Sequence, residues 1–114
     1  MSDLRGIGRQ AEDRAAEYLL AKGYTIVTRR YCTRVGEIDI VALDGDLVVF
    51  VEVKERRTSN YSPEEAVGPQ KVSRICRAAT QFMQRTGDTR SVRFDLIAID
   101  SKGLRHYEGC FEPS

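Results

Sequence analysis

Two carboxylates and a lysine stand where a buried strand pair would otherwise be apolar. Asp39 lies within Gly36-Glu37-Ile38-Asp39-Ile40-Val41, and Glu52 and Lys54 lie within Val49-Phe50-Val51-Glu52-Val53-Lys54, with Asp44-Gly45 between the two runs. Burying charge is costly unless something compensates for it. With Glu37 included, the carboxylates outnumber the lysine, and that excess is repulsive by itself. A divalent metal ion would compensate, so the chemistry to look for is that of a cation held between carboxylates.

The elements that must position these residues follow from spacing. Asp44-Gly45 closes a tight two-residue hairpin, and the flanking apolar runs predict antiparallel strands of roughly eight residues each. That turn pairs Leu43 with Asp46, Val41 with Val48, Asp39 with Phe50 and Glu37 with Glu52. Side chains alternate along a strand, so Glu37, Asp39 and Val41 share a face with Val48, Phe50, Glu52 and Lys54. Asp39 and Glu52 become diagonal neighbours with Cβ atoms on the order of 7–8 Å apart, close enough to reach one small cation. The opposite face, Ile38, Ile40, Val49, Val51 and Val53, is core. The competing reading is a solvated cross-strand charge pair. Such a face would be polar throughout, whereas this one alternates its charges with Val41, Val48 and Phe50.

The remaining chain predicts a compact α/β unit. Between about Gly8 and Lys22, Ala11, Ala15, Tyr18 and Leu19 form one helical stripe, closed by Gly23 as a C-cap. On that helix only Glu12 lies where it can lean toward the sheet; Asp13 and Glu17 fall on the other side. Tyr24 to Tyr31 reads as a strand leading into the hairpin. The stretch from Thr58 to Pro63 reads as a loop, and Pro69 as the first residue of a second helix. In that helix Val72, Ile75, Cys76, Ala79, Phe82 and Met83 face the core, and Arg74, Arg77, Gln81 and Gln84 face outward. Gly87-Asp88 ends it. Val92 to Ile99 is a further strand, Lys102-Gly103 a turn, and Arg105 to Phe111 a short edge strand.

At 114 residues the chain is expected to form one domain over 1–114, burying about two-thirds of its unfolded surface. Cys32, Cys76 and Cys110 are odd in number, widely spaced and without a CxxC pair. Neither a disulfide framework nor a zinc site is supported, and buried or half-buried thiols in a reducing compartment are expected. The N-terminal residues lack an apolar signal segment, and no stretch of roughly 18 apolar residues exists to span a membrane. A cytoplasmic protein without a membrane partner is the expectation. Eighteen Lys and Arg against 17 Asp and Glu exclude a protein that simply coats nucleic acid, so binding must come from local clusters. Arg29, Arg30 and Arg34 before the Asp39 strand, and Arg56 and Arg57 after the Glu52 strand, are those clusters.

The order α-β-β-β-α-β with a trailing strand implies a mixed sheet covered by helices, its helical crossover right-handed. This order, with an acidic residue in the second strand and Glu-X-Lys in the third, resembles the restriction-endonuclease-like PD-(D/E)XK nucleases over most of the chain. Ile38 stands where the proline that names that superfamily would be. More narrowly, the chain resembles the YraN family of small bacterial proteins. Gly8 with Ala11-Glu12 and Leu19, Gly36-Glu37-Ile38-Asp39, Phe50-Val51-Glu52-Val53-Lys54, Ala66-Val67 with Gln70-Lys71, Arg93-Phe94-Asp95 and His106-Tyr107-Glu108 carry the match. The family is also similar to archaeal Holliday-junction resolvases in its helix-one glutamate, strand aspartate and Glu-X-Lys.

That resemblance implies metal-dependent hydrolysis of phosphodiesters, in DNA more than RNA, on branched or otherwise structured substrates. Asp39, Glu52 and the Val53 carbonyl would hold Mg2+ or Mn2+ with several waters retained, and Glu12 would reach the ion directly or through water. The ion would polarise the phosphate and acidify a bound water, and Lys54 would stabilise the developing charge. Glu37 would bind a second ion or accept from an arginine. Of the polar pair Gln70 and Lys71, Lys71 flanks the core stripe and is favoured. His106, with no nucleophile or ligand partner at recognisable spacing, is expected to be structural. Two other classes stay open: a catalytically idle nucleic-acid-binding module, and an interaction domain or homodimer using an edge strand that carries Tyr107 and Phe111.

Overall fold

The computed structural model describes residues 4–56 and 67–111, with the side chains of 10–56 and 67–111. The elements are α1 (Leu4–Ala21), β1 (Thr25–Cys32), β2 (Glu37–Asp44), β3 (Leu47–Glu55), α2 (Pro69–Thr86), β4 (Val92–Asp100) and β5 (Gly103–Phe111). They form one five-stranded sheet in the order β1-β2-β3-β4-β5, antiparallel except for β3 and β4, which run parallel on either side of the α2 crossover. This is the α-β-β-β-α-β order with a trailing strand that the restriction-endonuclease-like resemblance implies. The expected loop from Thr58 to Pro63 lies outside the described residues.

Both helices end where glycine allows the chain to reverse. Gly23 (φ 97°) and Gly87 (φ 66°) take left-handed backbone. Tyr24 N–H then bonds Leu19 C=O at 2.9 Å and Asp88 N–H bonds Met83 C=O at 3.2 Å, the six-to-one closure of a Schellman motif. The sheet is buried on both faces. Under α2 lie Ile38, Val41, Val48, Phe50, Phe94 and Leu96 with Ile75, Ala78, Ala79 and Phe82. Under α1 lie Ile40, Ala42, Val49, Val51, Ile97 and Ile99 with Ala11, Ala15 and Leu19. Phe111 is buried and Tyr107 partly buried in the α2 cluster, so these side chains of the last strand cover core, while β5 is an edge strand of the sheet as expected.

The hairpin register differs from the expectation by two residues. Asp44 pairs with Leu47, Leu43 with Val48 and Val41 with Phe50, because Gly45 (φ 60°) occupies the first central position and the turn is centred on Gly45-Asp46. Glycine at that position marks a type II′ turn. A two-residue shift preserves which side chains share a face, but it moves Glu37 away from Glu52; Glu37 pairs instead with Cys32 of β1. Strict alternation also breaks at Asp39, since Ile38 packs under α2 while Ile40 packs under α1. Arg30 lies between the Arg29–Ile40 and Tyr31–Ile38 rungs and takes φ 54°, a left-handed conformation that a non-glycine residue holds only under the constraint of its surroundings.

A buried polar network ties α1 to the last two strands. The fully buried Asp95 carboxylate accepts from Arg93 Nε and Nη2 at 2.8 Å each, from Gly109 N–H at 2.9 Å, and lies 2.7 Å from His106 Nε2. Burial alone would raise this carboxyl; the bonds from His106, Arg93 and Gly109 outweigh it and hold it below its ordinary value. His106 Nδ1 lies 3.2 Å from the Tyr18 hydroxyl, and Arg93 also donates to Tyr24 at 2.7 Å. His106 is thus a satisfied structural residue. Cys32, Cys76 and Cys110 form no disulfide with one another, and Cys32 is exposed where a buried or half-buried position was expected.

Candidate active site

The β2–β3 ladder ends at the Ile40–Val51 rung, although β2 reaches back to Glu37 and β3 runs on to Glu55. At the next position Asp39 Oδ2 accepts the Val53 N–H at 2.8 Å, so a side chain replaces the backbone partner. The effect is to set Asp39 beside Glu52, closer than the diagonal arrangement expected from spacing. Glu52 is 4% exposed. Burial, then its hydrogen bond with Asp39 and the charge of that neighbour, push its carboxyl up to about 8, against the opposing pull of Lys71 and Lys54. Glu52 keeps its proton to higher pH because burial and the neighbouring Asp39 both penalise its ionised form.

Two lysines answer that charge. Lys71, in the first turn of α2, places Nζ 3.3 Å from Glu52 Oε1. Burial would lower Lys71, but Glu52 outweighs it and the ammonium is held above its ordinary value. Lys54 is lowered, first by burial and then by the charge of Lys71. Gln70 is exposed, so of the expected polar pair only Lys71 reaches the carboxylates.

Glu12 does lean toward the sheet and is 5% exposed, but its partners are arginines. Arg29 Nε donates to Oε1 and Arg30 Nε to Oε2, both at 3.0 Å, and Arg29 also bonds Asp13. Two of the arginines expected to meet nucleic acid are therefore engaged at home. Arg34 is exposed on the β1–β2 turn. Arg56 is exposed beside a separate cleft of about 500 Å3 with Arg14, Glu55 and Asp100. Arg57 lies outside the described residues. Among the described residues no three His, Cys, Asp or Glu side chains converge as a metal-holding group. Asp39 and Glu52 form a pair, and the ion pairs of Glu12 keep it from completing a third position.

The residues meet in two adjoining clefts. One, of about 280 Å3, is bounded by Glu12, Arg30, Glu37, Asp39, Glu52, Val53 and Lys71 among others. The second, of about 630 Å3, shares Glu37, Asp39, Glu52 and Lys71 with it and continues between the 33–36 turn and α2. Sequence reasoning missed this second cleft. Arg74 was assigned outward and is exposed, yet it lines the cleft wall. Gly36, read only as part of a motif, is where the turn touches α2: a Cβ there would stand 2.5 Å from the Arg74 carbonyl oxygen.

The donor set suits a small hard cation with few protein ligands. Two adjacent carboxyls, half-buried Asp39 and buried Glu52, opening onto a cleft, fit an ion such as Mg2+ that keeps most of its water. They do not fit a full protein cage.

The family model described as Uncharacterised protein family UPF0102 matches residues 11–99. This chain belongs to that family. The match is the one expected from the YraN resemblance, and its span includes Glu12, Asp39, Glu52, Lys54, Lys71 and Asp95 but not His106. A UPF0102 protein of Pelotomaculum thermopropionicum is 42% identical over 120 residues, covering 97% of this chain and 100% of the relative. UPF0102 proteins of Syntrophus aciditrophicus and Prosthecochloris aestuarii are 45% and 48% identical, covering 90% and 85% of this chain and 80% and 78% of theirs. A solved structure described as the crystal structure of SSO0001 superposes with TM-score 0.51 at 15% identity. It covers 96% of this UPF0102 chain and 53% of its own, so this chain spans about half of that protein. The likeness shows that the two chains share this mixed α/β fold. No helix of the described residues is long and apolar enough to cross a membrane.

Proposed function

We propose that this UPF0102 protein is a metal-dependent endonuclease that hydrolyses phosphodiester bonds in DNA. The observation that carries the reading is the convergence of half-buried Asp39 and buried Glu52 with Lys71 and Lys54 at the end of the β2–β3 ladder, beside an open cleft. Asp39 and Glu52 would hold Mg2+ or Mn2+. When bound, such an ion supplies Lewis-acid polarisation of the scissile phosphate and acidification of a bound water. Asp39 is oriented for this by the Val53 N–H, which fixes one carboxylate oxygen. Lys71, paired with Glu52 at 3.3 Å, would be available to a phosphate oxygen once a cation took over that carboxylate. Lys54, with its lowered proton affinity, is suited to stabilise charge on the phosphate or to move a proton at the leaving oxygen.

The Lys71–Glu52 and Arg29/Arg30–Glu12 ion pairs favour a second reading, a nucleic-acid-binding module whose carboxylates are neutralised internally. Calorimetric titration of Mg2+ and Mn2+ together with cleavage of linear and branched DNA separates the two. On the nuclease reading, Asp39→Asn and Glu52→Gln weaken metal binding by roughly 10–100-fold. Lys54→Ala abolishes cleavage and leaves metal affinity unchanged. Metal affinity that is absent in the wild type, or equal in all variants, eliminates the nuclease.

A further inference from the structure

The cleft of about 630 Å3 beside the carboxylate pair has walls set by backbone and not by mobile side chains. Thr33 Oγ1 accepts the N–H of Val35 at 3.1 Å and of Gly36 at 3.0 Å, and donates to Gly36 C=O at 2.9 Å. That pins the 33–36 turn in an arrangement typical of threonine-stabilised turns. Gly36 then packs against the Arg74 carbonyl, fixing α2 as the opposite wall. Arg34 and Arg74 line the cleft from these two elements. Arg29, Arg30, Arg90 and Arg93 are all spoken for by carboxylates, whereas neither Arg34 nor Arg74 has an acidic partner among the described residues. Half-buried Val35 adds apolar surface, which a groove made only for phosphates does not require.

Size decides what fits. Pockets of roughly 300–1,000 Å3 enclose small-molecule-sized ligands, so this one takes a nucleotide or two inside it, whereas a duplex could only lie across its mouth. Guanidinium planes serve unpaired nucleic acid doubly, pairing with phosphates and stacking on bases. We propose that the cleft binds an unpaired stretch of a single nucleic-acid strand, with Arg34 and Arg74 on the phosphates flanking the one presented to Asp39 and Glu52, and a base against Val35. The assignment of the neighbouring phosphate rests on the nuclease reading; the strand-binding cleft does not.

The test is fluorescence anisotropy in EDTA, with a labelled oligothymidylate and a blunt hairpin duplex of equal length. Wild type is expected to bind the single strand roughly tenfold or more tighter than the duplex, with base stacking as the added contact. Arg34→Ala combined with Arg74→Ala should remove that preference and flatten the salt slope by about 1.4, the counterion release of two phosphates on a single strand. Both positions are exposed, and thermal melts confirm that the fold is retained. Arg77→Ala with Arg85→Ala, exposed on the same helix outside the cleft, should change affinity by no more than about twofold. Equal or tighter duplex binding, an unaffected Arg34/Arg74 variant, or an equal loss in the Arg77/Arg85 variant overturns the proposal. Because no metal is present, a failed metal site leaves this result standing, and a failed cleft leaves the metal titration standing.

Discussion

Glu52 is the residue on which the chemistry turns. With its carboxyl at about 8 beside Asp39, it is protonated near neutral pH, and a cation must displace that proton before the pair can act as ligands. Metal affinity should therefore climb by roughly tenfold per pH unit up to about pH 8 and level off above it. Glu52→Gln should flatten that dependence along with the affinity. Isothermal titration of Mn2+ across that range measures both. A wild-type affinity independent of pH would mean that Glu52 is not a ligand. Lys71 shapes the same curve, because its ammonium lies 3.3 Å from Glu52 and opposes the proton as the metal does. A Lys71→Ala variant should carry a still higher Glu52 midpoint, seen as a shift of the plateau to more alkaline pH.

The elements matter through how closely they approach. Gly36 lets the β1–β2 turn touch α2, and a methyl group there would meet the Arg74 carbonyl at 2.5 Å. Backbone cannot swing aside as a side-chain end can, so Gly36→Ala should cost about 1–3 kcal/mol, read as a lower denaturant midpoint at constant m. Loss of stability below about 0.5 kcal/mol would show that α2 is free to shift. Sequence pattern reached the elements well because each has a strong local signal: the α2 stripe ending at Gly87, Pro69 opening that helix, and the Gly45 turn between two apolar runs. It placed Asp39 and Glu52 together because they stay neighbours under a two-residue error in register, whereas Lys71 entered through the family resemblance. It could not reach the left-handed Arg30, the break in alternation at Ile38, or the capture of Glu12 by Arg29 and Arg30. Those depend on which side chains a third element delivers. The Gly36–Arg74 contact is equally invisible, being a meeting of two backbones far apart in the chain.

At the scale of the whole molecule, the sheet is apolar on both faces and the ionic groups of the site sit where the β2–β3 ladder gives out, so their strain is borne by the rest of the fold. A site held for function is commonly tolerated at a cost in stability. Folded Glu52 keeps a proton up to about 8, whereas an unfolded glutamate releases it near 4.5. The native state therefore binds more protons than the unfolded state between those values. The contribution of this group to stability is full below about 4.5 and is lost as pH rises through about 8. Asp39→Asn removes the neighbouring charge, while the asparagine carbonyl still accepts the Val53 N–H and its amide donates to Glu52. In EDTA the variant should be more stable than wild type by roughly 0.5–2 kcal/mol, with a weaker decline between about pH 5 and 8. Mg2+ at about a hundredfold over its dissociation constant should add about 2.7 kcal/mol to the wild type and only about 0.4–1.4 kcal/mol to the variant, because a ligand stabilises only as far as it binds. If Asp39 instead serves as a structural partner for the lysines, its neutralisation strands them and the variant melts lower, indifferent to metal. Thermal melts of both proteins, with EDTA and with Mg2+, give opposite signs for the two roles of one carboxylate.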